Sequence, residues 1–446
     1  MTHGSTALLT DMYELTMIEA TLETGAAERR CVFEVFNRRL PLGRRYAVVA
    51  GIGRVLEDLE RFRFGDAEIS WLRERGVVGA RTLEYLADYR FGGSILAYGE
   101  GECFFPGSPV MTVEGTFAEA VVLETMILSI LNHDSAVAAA ASRMTVAAHG
   151  RPCLEMGARR THEWAAVAAA RATAVAGFSG TSDLEAARRY GLRPIGTAAH
   201  SFTLLHDDEE AAFAAQVEAL GPGTTLLVDT YDVEVGVERA VAAARAAGGE
   251  LGAVRLDSGD LVAQAFTVRK QLDDLGATST KITVTSDLDE YAIASLNAAP
   301  VDSYGVGTKV VTGSGHPTAE LVYKLVEREN SAGEMESVQK ESTSKKSVGG
   351  KKFAGRVLER GVAAEEVTVL THDAEAARAK LAELGARQLQ VEVVRDGVVN
   401  AEHVGPEAVQ AAAARHVASR AELPHPAWRL SEGDVAIPTR HITLEG

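Results

Sequence analysis

Apolar residues recur at helical spacing between positions 7 and 20, behind Thr10-Asp11, a pair suited to capping, so a helix is predicted to begin there. Cys31-Val-Phe-Glu-Val-Phe-Asn37 alternates with the period of a strand, and a second extended piece follows at 47–53. Between 94 and 113 the chain is rich in Gly and Pro with short extended pieces, which places the exit from a first domain near 110. Residues 118–148 read as an Ala-rich helix interrupted only at Asn132-His133-Asp134, whose polar groups read as caps or core polar residues.

Past 150 the plan changes. Cys153-Leu-Glu-Met156 reads as a short strand and 174–178 as another, ending in a glycine turn. Asp183 to Tyr190 reads as a short helix stopped by Gly191, and 193–197 as an extended run that delivers His200. Thr225-Leu-Leu-Val-Asp229, Ala253-Val-Arg-Leu-Asp257 and Ile282-Thr-Val-Thr-Ser-Asp287 are then three short strands, each ending on an aspartate. Helices are predicted over 234–247, 259–275 and 289–298. The aspartates stand 28 (257 − 229) and 30 (287 − 257) positions apart, the length of one β-α unit with its loops. Strand C-termini in a parallel sheet or barrel converge on one face, and that face carries the site. Aspartate also favours turns at strand ends for purely local reasons, so the register of three carries more weight than any one of them.

A fourth strand end, Asp302-Ser-Tyr-Gly305-Val-Gly307-Thr308, turns glycine-rich, which lets backbone amides approach a phosphate. The pattern G-x-x-x-x-G-K-[ST] is absent, so any ATP is not held by a P-loop. Residues 328–352 are polar and lysine-rich and read as a surface loop. Short strands, a helix near 373–384 and an Ala-rich helix near 405–420 follow. The predicted division is 1–110, an N-terminal α/β domain completed by later chain; 111–327, an α/β barrel with the site; and 328–446, a loop and closing region.

Composition narrows the class. At 446 residues the chain exceeds the roughly 250–300 that one core serves. With 46% hydrophobic and 24% charged residues it is globular in composition, and no wholly apolar run nears the ~18 residues of a membrane span. The first residues lack a basic and then apolar leader, and Cys31, Cys103 and Cys153 are too scattered for a zinc or redox motif, so a cytoplasmic protein is expected. A net charge of −17 argues against nucleic acid as a partner but not against small anions held by a few arginines, backbone amides and Mg²⁺.

Gly180-Thr-Ser-Asp183 followed by Gly196-Thr-Ala-Ala-His-Ser-Phe202 resembles the signature of nicotinate phosphoribosyltransferases, where the histidine is phosphorylated by ATP. Thr10-Asp-Met-Tyr13 is similar to that family's opening motif, and the arginine-rich 38–46 stretch to its Phe-Phe-Arg-x-x-Pro region, with Asn37 where a second aromatic is common. Met156-Gly-Ala-Arg-Arg160 resembles its Phe-Gly-x-Arg-Arg run, with Met156 in place of Phe, and Asp183 stands where Asn is usual. The resemblance spans 1–60 and 150–355.

It implies the irregular α/β barrel of the type II phosphoribosyltransferases with a second α/β domain, and a homodimer with shared active sites. The implied reaction is the ATP-assisted condensation of nicotinate with phosphoribosyl pyrophosphate to nicotinate mononucleotide and pyrophosphate, a step toward NAD, through a phosphohistidine. In that assignment His200 is the nucleophile, with Asp229 hydrogen-bonded to its other nitrogen. Tyr13, Arg159 and Ser182 orient nicotinate. Arg255, Asp257, Gly305 and Gly307 hold the phosphoribosyl group, with Mg²⁺ on its phosphates, and Asp287 and Asp289 are candidates for ribose or metal. Two other readings stay open: an inactive nucleotide-binding protein of the same fold, and a barrel lyase or isomerase acting on sugar phosphates.

Overall fold

The computed structural model describes residues 4–340 and 348–444. Internal contacts divide the chain into two units, Met1–Ala139 with His316–Gly446, and Ala140–Gly315.

Among the described residues the second unit is built on a five-stranded parallel sheet in the order Cys153–Glu155, Ser303–Val306, Lys281–Val284, Ala253–Leu256, Thr225–Leu227. Val254, Ile282, Val284 and Val306 are fully buried, which suits strands covered on both faces. Single bridges from Glu155 to Thr181 and from Thr181 to Pro194 carry the sheet onward, and these two minimal members make the α/β barrel irregular. The connections repeat one device: helices Val233–Ala246, Leu261–Asp274 and Glu290–Ser295 open on Asp232, Asp260 and Asp289, each accepting backbone N–H groups of its own first turn. The helix predicted at 183–190 is Leu184–Tyr190, capped by Asp183 and ended by Gly191 at φ 62°. The strand predicted at 174–178 does not form. Helix Glu163–Val175 runs into it, because nothing in its alanine-rich sequence stops a helix before the Phe178 N–H turns back to the Thr173 carbonyl at 3.0 Å.

The first unit, among its described residues, has a seven-stranded sheet in the order Met335–Ser337, Leu321–Glu329, Arg30–Asn37, Met111–Thr116, Ser94–Tyr98, Gln390–Arg395, Val398–Val399. A four-stranded sheet runs Ala386–Gln388, Lys352–Glu359, Val362–Leu370, Thr439–Thr443. This pairing corrects the predicted boundaries: 111–139 and 316–327 pack with the N-terminal segment because Arg30–Asn37 lies hydrogen-bonded between Met111–Thr116 and Leu321–Glu329. The expected closing region is part of the same unit, since Gln390–Arg395 pairs with Ser94–Tyr98. Of the predicted 328–352 loop, Met335–Ser337 is a strand and 341–347 lie outside the described residues.

Helix Glu124–Ala147 runs unbroken through Asn132-His133-Asp134; the interruption comes earlier, after Phe117–Val121. The polar side chains bond to neighbours and not to their own backbone. Asp134, fully buried, accepts from Arg54 at 2.8 Å, and the Asn132 amide oxygen accepts from the Leu321 N–H at 2.8 Å. By length and composition Phe117–Ala147 could cross a bilayer, but its apolar window is 67% buried within the protein, as in a core helix. The arginines at 38–45 serve the fold of this unit: Arg39 pairs with Glu320, and Arg45 donates to the carbonyls of Glu432 and Asp434.

Candidate active site

A cavity of about 450 Å³ stands at the C-terminal ends of the parallel strands, walled entirely by the second unit. Gly305, at the fourth strand end, leaves no room for a side chain. A Cβ on Gly305 would come within 2.5 Å of the Thr285 methyl and 2.7 Å of the Met156 sulfur. Met156, where the resemblance expects an aromatic, therefore lies against that glycine, its N–H held by the Val306 carbonyl at 2.8 Å. Gly157 makes the same kind of close approach, since a Cβ on it would meet the Gly307 carbonyl oxygen at 2.9 Å.

Around this floor the predicted residues assemble. Arg159, Ser182, Arg255, Asp257, Asp287, Gly305 and Gly307 all line the cavity. Arg159 sits on a single 3-10 turn, Ala158–Arg160, and among the described residues makes no ion pair, so its planar fork is available to a bound carboxylate. Arg255 reaches from its strand to the Thr197 hydroxyl, while its Nε is buried with no partner among the described residues. Burial pulls its pKa down and the carboxylates of Asp257 and Asp229 work against that. Asp257 in turn accepts from the Thr285 hydroxyl.

Asp229 is nearly sealed, its side chain 2% exposed. Its Oδ2 accepts from the Asp257 N–H at 2.9 Å and the Ser258 hydroxyl at 2.8 Å. Its Oδ1 has no hydrogen-bond partner among the described residues and faces the His200 Nε2 at 3.9 Å. That separation corrects the expected hydrogen bond, being too long for one. The close partner of the imidazole is Thr230, whose Oγ1 lies 3.1 Å from Nδ1. His200 opens helix His200–Leu205, directly after the cavity-lining run Ile195 to Ala199.

Four predicted residues are outside the cavity wall: His200 and Asp229, just described, and Asp289 and Tyr13. Asp289 is the cap of Glu290–Ser295, accepting from the N–H groups of Tyr291 at 3.0 Å and Ala292 at 2.8 Å, and it is not in the cavity wall. Asp289→Ala is accordingly expected to lower stability by about 1 kcal/mol in urea denaturation, with the Mg²⁺ dependence of any activity unmoved. Tyr13 belongs to the first unit, on Met12–Thr24, and is 44% exposed. Burial and then the Glu124 carboxylate push its pKa up to about 12.

Sequence reasoning missed a set of hydroxyls: Thr197, Thr230, Ser258, Thr285 and Ser286. Their signal was adjacency, since Thr230 and Ser258 directly follow strand-end aspartates and Ser286 precedes one. Ser286 lines the cavity at φ 146°, a backbone region that side-chain-bearing residues rarely occupy and that concentrates at functional sites. Among the described residues no group of three or more His, Cys, Asp or Glu is close enough to hold a metal ion by itself.

An α/β barrel with three arginines, strand-end acids and glycine turns around one cavity suits small anionic substrates bearing phosphate. Comparison with known proteins narrows that class. Profiles described as the nicotinate phosphoribosyltransferase N-terminal domain and the nicotinate phosphoribosyltransferase family match residues 8–132 and 152–374. Nicotinate phosphoribosyltransferase pncB1 of Mycobacterium tuberculosis is 54% identical over 444 residues, covering 98% of this chain and 95% of the relative. Nicotinate phosphoribosyltransferase of Bacillus subtilis is 37% identical over 361 residues, covering 79% and 74%. The crystal structure of human nicotinic acid phosphoribosyltransferase shares the fold, with a TM-score of 0.79 at 23% identity over 96% of this chain and 97% of that one. The chain belongs to the nicotinate phosphoribosyltransferase family.

Proposed function

We propose that this protein condenses nicotinate with phosphoribosyl pyrophosphate to give nicotinate mononucleotide and pyrophosphate, a step of NAD biosynthesis, assisted by ATP. The observation that carries this reading, alongside the family, is the convergence of Arg159, Arg255 and a neutral Ser182 on one cavity. Arg159 pairs its fork with the pyridine carboxylate. Ser182 adds a hydroxyl where a carboxylate would repel that anion. The ring nitrogen then attacks an anomeric carbon that gains oxocarbenium character as pyrophosphate leaves, so orientation and charge stabilisation are the main demands on the protein.

Arg255, Asp257 and the backbone at Gly305 and Gly307 hold the phosphoribosyl group. Asp257 and Asp287, carboxylates on the cavity wall, would hold a Mg²⁺ ion, which would neutralise phosphate charge. His200 takes the γ-phosphoryl group of ATP, the P–O bond to ADP breaking as the N–P bond forms. In this reading the enzyme is a cytoplasmic homodimer, and Tyr13 of one copy stacks on the pyridine ring in the site of the other.

The test is purified protein with Mg²⁺, ATP, phosphoribosyl pyrophosphate and either nicotinate or nicotinamide, following mononucleotide by chromatography. A charge-recognising site is expected to favour nicotinate by at least roughly a hundredfold in kcat/KM. Equal use of both bases would remove the Arg159 assignment, and no product from either would leave the inactive binding protein.

A further inference from the structure

Arg159 and Ser182 come from different connections of the barrel, 23 positions apart (182 − 159), and one isolated bridge joins their stretches of chain. Side-chain contacts add to that bridge in setting the gap between them. Glu155, the last residue of Cys153–Glu155, lies beneath both and is 0% exposed. Its Oε1 accepts from the Gly157 N–H, two residues before Arg159. Its Oε2 accepts from the Thr181 hydroxyl at 2.5 Å, one residue before Ser182. The same residue's main-chain carbonyl accepts from the Ser182 N–H at 2.9 Å, and its N–H donates to the Gly180 carbonyl at 2.9 Å. Thr181 Oγ1 passes the constraint on by accepting from the Asp183 N–H at 3.0 Å.

Among the described residues no lysine or arginine pairs with Glu155, so this carboxylate is held by N–H and O–H dipoles alone. A buried carboxylate without a cation is costly, and in a structural role an apolar side chain would fill the space at less cost. What a carboxylate provides is two acceptor oxygens on one rigid plane, able to grip two segments at once. The amide of glutamine offers one acceptor oxygen, and its NH2 can reach Thr181 only if that hydroxyl turns to accept, which takes from the hydroxyl hydrogen the buried acceptor it now has.

We propose that Glu155 is a positioning residue that fixes the Arg159 turn and the Ser182 segment at the separation the pyridine carboxylate requires. This rests on the nicotinate reading above. Glu155 touches no substrate; it acts through the two side chains that do. Thr181 is its counterpart, and the hydroxyl is the part that matters.

The full-length variants E155Q, T181V, T181S and E155Q/T181V are compared with wild type by steady-state kinetics in both substrates and by thermal unfolding. Because an orienting error of a fraction of an ångström weakens the held substrate most, E155Q and T181V are each expected to raise KM for nicotinate roughly tenfold, with kcat and KM for phosphoribosyl pyrophosphate within about threefold of wild type. T181S restores the hydroxyl and is expected to recover the nicotinate KM lost in T181V. The double variant is expected to be no worse than the weaker single, since both remove one contact. Folded E155Q and T181V with nicotinate KM within about twofold of wild type, or a uniform loss in every parameter with a lowered Tm, would overturn the proposal. Should E155Q fail to fold, the T181V and T181S pair decides alone. A wild type that makes no mononucleotide overturns the nicotinate reading together with this one, whereas an active wild type with unmoved variants overturns this one only.

Discussion

His200→Ala is expected to make nicotinate mononucleotide at the rate the wild type shows without ATP, and to respond to ATP not at all. In the proposed mechanism the imidazole is the nucleophile, and losing a nucleophile outright reduces the step it carries by on the order of a thousandfold or more. ADP release should fall accordingly, and protein-bound label from γ-labelled ATP should vanish, while binding of nicotinate, held by other residues, persists. The surroundings of His200 support this assignment. Asp229 Oδ1 is a buried carboxylate oxygen with no donor among the described residues, 3.9 Å from Nε2. A phosphorylated imidazole that carries a proton on its far nitrogen presents the missing donor, so the positive charge on the ring faces the Asp229 carboxylate. ATP stimulation that survives in His200→Ala would end the phosphohistidine mechanism and leave the transferase reaction standing.

The largest expected loss of stability lies in the first unit. Arg356, fully buried in the first unit, donates to Glu366 at 2.8 Å, to the Cys103 carbonyl at 2.6 Å, to the Ser419 hydroxyl at 2.9 Å and to Glu422 at 3.1 Å. Glu366 is itself fully buried, and its other donors are the hydroxyls of Tyr98 and Ser108. Arg356→Met leaves that carboxylate without its cation and is expected to cost about 3–5 kcal/mol in chemical denaturation. The pH dependence has a definite sign. Burial already raises the pKa of Glu366 against the pull of Arg356, and without the arginine it rises further. The folded variant then binds a proton that the unfolded chain has released, so its stability falls as pH rises. The deficit relative to wild type should therefore be smaller at pH 5 than at pH 8, and adding Glu366→Gln should recover part of it.

Local pattern made the second unit legible. Short β-branched runs ending on Asp229, Asp257 and Asp287, with helices of the right length between them, specified parallel strands and the face where the cavity lies. The stop at Gly191 and the glycine turn at 305–307 were equally local. What escaped was set by partners distant in the chain. Nothing near Asn132 announces that Leu321 will take up its amide oxygen, so a helix looked interrupted where it is continuous. Glu155 read as one residue of a short strand, because its meaning lies in Thr181. His200 stood out in the sequence, but its hydrogen-bond partner did not: Asp229 and Thr230 are adjacent, and only side-chain geometry separates a contact of 3.9 Å from one of 3.1 Å.

Arg30–Asn37 lies inside the seven-stranded sheet, and the Arg30 N–H bonds to Glu329, 299 positions further along. The second unit, by contrast, is one uninterrupted piece of chain. During synthesis from the N-terminus, 140–315 can therefore reach its final form while the strand at 30–37 still lacks a neighbour on one side. The first unit then closes over the ends of a chain whose middle is already folded. Closing a loop of that length is slow relative to local pairing, and the open strand edge is exposed to other chains for the interval. Synthesis of the chain from residue 37 to residue 321 is thus the interval in which that edge is open to pairing with another chain.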